Sequence, residues 1–173
     1  FGEQWNRYRT TQLDSHTHTQ ISKDRLKRCL GERVWQQLSG PEPMNVLETG
    51  CGAGRFTEVL LNLPSVVVTS TDLSSAVDAN QANCPQSDRH RVIQCDIYRL
   101  PFVPESYDVV VCLGVIQHTP DPEKAIARLF DQVKPTWKGN RDVLLAQLIR
   151  IVERFVGSPK LRVTPSQIEL DDV

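Results

Sequence analysis

The sequence predicts an α/β fold: a three-layer α/β/α sandwich around a mainly parallel sheet. Three observations predict it. Short apolar runs alternate with helix-patterned stretches from Met44 to Val133, and strands separated by helices pair in parallel through right-handed crossovers. Glycines at positions 50, 52 and 54 directly follow the first apolar run, where a strand has to turn sharply into a helix. Acids stand at the ends of three successive strands, Glu48, Asp72 and Asp96. In open α/β sheets that edge is where ligands bind.

Each element follows from local chemistry. Residues 1–20 are mostly polar, contain Phe1, Trp5 and Tyr8, and read as an arm. "SKDRLKRCLGERVWQQL" spaces Leu26, Cys29, Leu30, Val34 and Leu38 as one helical face, with Ser22 as its N-cap. "SGPEP" at 39–43 breaks that helix. "MNVLET" is a short strand. "RFTEVLLNL" is a helix with Phe56, Val59, Leu60 and Leu63 on one face. "SVVVTSTD" is a β-branched strand, and "SSAVDANQAN" a helix capped by Ser74 or Ser75. "HRVIQCD" is the third strand. "YDVVVCLGV" is a continuous apolar strand buried on both faces. "DPEKAIARLFDQV" is a helix with Asp121 as cap and Pro122 in its first turn. The expected divisions are an N-terminal arm and helix over 1–40, a core over 41–138, and a C-terminal helix and tail over 139–173. Within that tail, "NRDVLLAQLIRIVERFVG" predicts a helix over 141–156 with more apolar surface than one face needs. That surplus is expected to meet another subunit, giving a homo-oligomer, or a segment not present in this chain.

Composition narrows the function. The chain has 173 residues, 39% hydrophobic, with 20 basic and 21 acidic side chains and a net charge of −1. That length suits one domain with a real core. No basic stripe suggests nucleic-acid binding, and no apolar run is long enough for a transmembrane helix. The sequence opens at Phe1 with neither methionine nor signal pattern, as expected of a portion of a longer chain. Cys29, Cys51, Cys84, Cys95 and Cys112 are odd in number and never form a CxxC pair. A disulfide framework or zinc ribbon is not expected, and a reduced, cytoplasmic setting is.

The strand, glycine loop and helix of "NVLETGCGAGRF" let the backbone turn and present amides with no Cβ in the way. A bare strand–helix turn is the plainer reading of the glycines alone. A dinucleotide fingerprint would need glycine at position 55, where Arg55 stands. Asp72, 22 residues after Gly50, is placed either to accept both hydroxyls of a ribose or to cap the helix beginning "DLSS". Asp96 is placed either to accept from an adenine amine or to sit solvated in a loop.

Together these motifs resemble the class I S-adenosylmethionine-dependent methyltransferases, in the group of small-molecule-type methyltransferase domains. "VLETGCGAGRFTEVLL" is similar to that family's first motif and "TDLS" to its second-strand acid. "QCDIYRLPF" is similar to its third motif. "SYDVVVCLGVIQHTPDPEKAIARLFDQVKP" is similar to its fourth strand and following helix. The resemblance covers about Asn45 to Pro135. It implies a Rossmann-like sandwich, S-adenosylmethionine as cofactor and no metal. It implies that Gly50, Cys51, Gly52 and Gly54 shape the methionine side of the pocket and that Glu48 contacts the amino group, directly or through water. Asp72 would hold the ribose, Asp96 and Ile97 would recognise the adenine, Leu113 and Gly114 would lie against the cofactor, and Leu73 would also belong to the cofactor site. After "VKP" the sequence departs from the family: its last strands are truncated here or replaced by the helix over 141–156.

Methyl transfer from a sulfonium is an in-line displacement, so the protein chiefly positions the acceptor and removes a proton where needed. His118 in "GVIQHTPDP" is the candidate base; a structural or substrate-orienting histidine is the alternative. His16 and His18 lack Cys or Glu partners and read as a solvated loop. "LGVIQH" lacks the Pro-Pro-aromatic stretch of adenine-methylating enzymes, and Cys112 follows Val111 rather than a proline. A small-molecule, lipid or glycan acceptor is therefore expected. Trp5 and Tyr8 would close over it or simply pack on the domain. An NAD(P)-binding oxidoreductase and a non-catalytic cofactor-binding module are the competing readings.

Overall fold

The computed structural model describes residues 2–135. The helix predicted over 141–156, the tail, and any oligomer contact through them lie outside the described residues. Two short helices, α1 (Gly2–Arg7) and α2 (Asp14–Thr17), precede α3 (Ile21–Leu38). There follow β1 (Met44–Thr49), α4 (Arg55–Leu61), β2 (Val66–Asp72), α5 (Ala76–Asn83), β3 (His90–Gln94), β4 (Val109–Val111) and α6 (Pro122–Asp131).

The four strands form one sheet in the order β3-β2-β1-β4. Every pairing is parallel: Val46 stands beside Val68 and Val109, and Thr69 beside Arg91. One face buries Val46, Val66, Val68, Val109 and Val111 against Leu26, Leu30, Val34 and Leu38 of α3 and Phe56, Val59 and Leu60 of α4. The other buries Leu47, Val110 and Cys112 against Ala125 and Leu129 of α6. The period-2 alternation of β1 and β4 thus feeds two cores, which makes three layers. Because β1 lies between β2 and β4, the chain leaves the sheet in opposite directions from its centre, and the loops there splay apart.

Several expectations are corrected at element ends. The run "YDVVVCLGV" forms a strand over Val109–Val111 alone, opposite Val46, Leu47 and Glu48 of β1. The strand expected to run to Asp96 ends at Gln94. Ser22 does not cap α3. The Asp14 carboxylate does so from eight residues upstream, accepting from the backbone N–H groups of Ser22 and Lys23, each at 3.0 Å. Burial works to raise the Asp14 pKa, but these donated bonds outweigh it and hold the carboxyl below its ordinary value. Helix α3 is itself broken at Gly31, whose φ of 77° no helix contains. Asp121 caps α6 as expected, accepting from Lys124 N, with Pro122 in the first turn. The N-terminal arm packs on the domain through α1 against α5 and α2 against α3. Among the described residues no helix is long and apolar enough to cross a membrane.

Candidate functional site

The turn after β1 brings the chain's C-terminal sheet edge together. Gly50 N and Cys51 N both donate to Thr71 O, at 2.7 and 2.9 Å, so the last residues of β2 hold the start of the loop. Gly50 sits at φ +75°, and a Cβ there would lie 2.0 Å from Val115 Cγ2. The loop after β4 therefore packs onto the bare backbone of the loop after β1. Gly54 ends the loop at φ +96° and leads into α4.

Asp72, at the end of β2, joins these parts. Its Oδ2 accepts from Gly52 N at 3.0 Å, and its Oδ1 accepts from Ser74 N at 2.9 Å and Ser74 Oγ at 2.7 Å. Asp72 thus holds the loop but does not cap α5: it orders Ser74, whose Oγ accepts from Ala76 N, the first amide of that helix, at 3.2 Å. A carboxylate offers about four lone-pair sites, so three bonds leave capacity for one further donor. Asp96 follows β3 and accepts from Tyr98 N at 2.9 Å, starting the tight turn Ile97–Arg99. Tyr98 OH both donates to Asp121 O and accepts from Asp121 N, at 2.9 and 2.8 Å, which ties that turn to the start of α6.

These pieces enclose a cleft of about 560 Å³, within the usual size of a small-molecule site. Gly50, Cys51, Gly52, Asp72, Leu73, Asp96, Ile97, Leu113, Gly114 and His118 all line it. His118 is exposed at the rim, on the turn Ile116–His118, with its Nε2 3.4 Å from Gln117 Nε2. Two of the expected site residues stand apart. Gly54 lies behind the loop, where a Cβ would approach Cys84 Sγ at 3.2 Å. Glu48 shares the parity of Val46 and turns into the core beneath the cleft.

Glu48 is only 2% exposed. Its Oε2 accepts from Thr57 Oγ1 at 2.5 Å and Ser70 Oγ at 3.1 Å. Asn80 Nδ2 donates to Thr57 Oγ1 at 2.8 Å, and His90 Nε2 lies 3.2 Å from Ser70 Oγ. Burial pushes the Glu48 carboxyl up to about 7, against the pull of those two hydroxyl donors. Glu48 Oε1 and Asn80 Oδ1 have no hydrogen-bond partner, and a protonated Oε1 would be a donor rather than a second stranded acceptor. Burial likewise pushes the thiols of Cys84 and Cys112 up to about 12. Burial also raises the Cys51 thiol well above its ordinary value. None of these thiols is a nucleophile at neutral pH.

The family model described as a methyltransferase domain matches residues 47–136, over half of the chain. The protein belongs to this methyltransferase domain family. The family is that of the class I S-adenosylmethionine-dependent methyltransferases. An uncharacterized protein of Synechococcus sp. is 34% identical over 104 residues, covering 57% of this chain and 24% of that protein. A ubiquinone biosynthesis O-methyltransferase of Coxiella burnetii is 31% identical over 96 residues, covering 54% of this chain and 41% of that one. The chain thus spans less than half the length of these relatives. Among solved structures, a SAM-dependent methyltransferase from Aquifex aeolicus superposes with a TM-score of 0.50 at 20% identity, over 63% of this chain and 62% of that chain. That likeness carries the fold.

Sequence reasoning missed part of the methyltransferase cleft. Trp5, Arg9, Gln12, Leu13, Arg25, Arg55 and Phe56 also line it. Trp5 lies over the loop, 3.5 Å from where a Gly52 Cβ would stand, while Tyr8 is 51% exposed. Only Trp5 had a signal, as an aromatic in a polar arm. Arg55 stands where a dinucleotide fingerprint would need glycine, and nothing in its local pattern ties it to Arg9 or Arg25.

Two predictions follow from this geometry. Gly50→Ala meets Val115 and an unfavourable φ; it is expected to cost about 2 kcal/mol in urea unfolding and to weaken S-adenosylhomocysteine binding in calorimetry. Glu48 binds its proton more tightly folded, at about 7, than unfolded, at 4.5. Its contribution is therefore intact below the unfolded value of 4.5, falls progressively from there and is fully lost once pH passes about 7, by about 3 kcal/mol at most. His90 works in the opposite sense: burial lowers its pKa, so it costs stability on the acid side. The comparison is therefore with Glu48→Gln, whose unfolding free energy should fall less than wild type between pH 5 and 8.

Proposed function

We propose that the chain carries S-adenosylmethionine-dependent methyl transfer to a small-molecule, lipid or glycan acceptor. The observation that carries the reading is the shared cleft, in which the glycine loop, Asp72 and Asp96 face one another from three neighbouring strands. Its residues fit the donor. The remaining acceptor capacity of Asp72 suits a ribose hydroxyl, and Asp96 with Ile97 suits an adenine edge and face. The loop from Gly50 to Gly52 leaves room beside exposed backbone for the amino-acid end. Leu113 and Gly114 form the wall at the end of β4. The bound donor supplies an activated methyl group on a sulfonium.

The protein's share is to orient the acceptor, to keep water from the sulfonium and to remove a proton. His118, at the rim of the same cleft, is the group proposed for that proton. The curated relatives named as O-methyltransferases support an oxygen acceptor. Five free cysteines fit a reduced, cytoplasmic setting. A nicotinamide reading loses its ground, because Arg55 fills the third glycine's position and the family match lies elsewhere.

Calorimetry tests the reading directly. S-adenosylhomocysteine is expected to bind with a stoichiometry of about one, as one cleft requires, and NAD not to bind. Asp72→Asn and Asp96→Asn should each weaken binding about tenfold or more, the loss of a hydrogen bond to a charged acceptor. Binding of NAD, or S-adenosylhomocysteine binding that ignores both substitutions, overturns it.

A further inference from the structure

The cleft continues past the glycine loop into a wall of like charge. Arg9 follows α1, Arg25 lies in α3 and Arg55 opens α4, and all three line the cavity. Arg25 and Arg55 both approach one ring: their guanidinium carbons stand 6.0 and 5.2 Å from the Phe56 centroid. Arg55 Nε donates to Ser22 Oγ at 2.9 Å. Among the described residues no carboxylate forms an ion pair with any of the three; the ion pairs are Lys27–Glu32, Arg128–Asp131 and Lys134–Asp108. Burial first, and then the repulsion of Arg25, lower the Arg55 pKa. The nearby Asp14 draws it the other way, but Asp14 does not line the cleft, and its oxygens are taken by Ser22 N, Lys23 N and Thr19 Oγ1.

Arg25 and Arg55 are half-buried, and guanidiniums so placed without counter-ions cost free energy unless a ligand supplies the charge. The methyl donor does not supply enough. Its sulfonium, ammonium and carboxylate leave it net positive, and the cleft wall already sets three arginines against Asp72 and Asp96. One carboxylate can occupy one guanidinium fork. The surplus has to be met by the second substrate.

We propose that Arg25 and Arg55, with Arg9 at the rim, form an anion subsite for the methyl acceptor, which therefore bears a carboxylate or a phosphate group. This rests on the methyltransferase reading and narrows its substrate class. Both guanidiniums approach the Phe56 ring, so one aromatic side chain packs with the two charges on the cleft wall, and Trp5 forms an apolar wall for the body of the molecule.

The test uses the full chain saturated with S-adenosylhomocysteine and three probes of one shape: benzoate, phenyl phosphate and benzamide. Calorimetry is expected to show binding of at least one anion, weakening as salt rises, with benzamide about tenfold weaker or worse. The anion that binds more tightly names the acceptor's group. The double variant Arg25→Gln, Arg55→Gln should lose about tenfold or more in anion affinity, and the Lys pair should recover part of it. Should the Gln pair fail to melt cooperatively, Arg9→Gln, at an exposed position, is expected to weaken the anion several-fold. Equal binding of benzamide and the anions overturns the proposal, as does anion binding indifferent to the arginines. A third contrary result is a Gln pair that weakens S-adenosylhomocysteine, but not methylthioadenosine, while leaving the anions untouched; the arginines would then serve the donor's own carboxylate. If S-adenosylhomocysteine fails to bind wild type, the methyltransferase reading fails, and anion titration of the unloaded chain still decides the subsite.

Discussion

The bond from Gly52 N to Asp72 Oδ2 is the constraint on which the site depends. It fixes the glycine loop against the end of β2, and the Thr71 carbonyl reinforces it by taking the Gly50 and Cys51 amides. A loop with three glycines has many conformations open to it, and leaving it unfixed would place the whole cost of ordering it on ligand binding. Here most of that cost is met in folding. The same carboxylate holds Ser74 before α5, so one side chain links the loop after β1, the end of β2 and the entry to α5.

The site has a polar foundation as well as a polar surface. Beneath the loop, Glu48, Thr57, Ser70, Asn80 and His90 connect β1, α4, β2, α5 and β3 inside an otherwise apolar layer. Such a network is expensive when incomplete and specifying when complete. A neutral Glu48 suits it better than a charged one, because an unpaired buried charge would be set beside Cys51 and Cys84, whose thiols the same burial keeps protonated. Glu48 therefore shapes the cleft from below.

Much of this was legible in the sequence. The alternation of runs set the parallel sheet, and the acids ending β2 and following β3 fell into one cleft with the glycine loop. What was illegible depended on direction and distance. Glu48 stands in the first motif, yet its parity with Val46 sends it inward; a period-2 reading of "NVLET" would have shown this. Ser22 carried a capping residue's chemistry, but Asp14 took the cap because α2 brings its carboxylate over the first turn of α3. The arginine wall is drawn from positions 9, 25 and 55, three elements whose meeting no local pattern announces.

The central claim is that the edges of β1, β2 and β3 act as one receptacle. Amide hydrogen exchange of the full chain, with and without S-adenosylhomocysteine, tests it most directly. The account predicts that protection rises together in residues 49–55, 72–74 and 96–98, with little change in α6. Protection confined to one of these segments, or absent from all three while the ligand binds elsewhere, would contradict it.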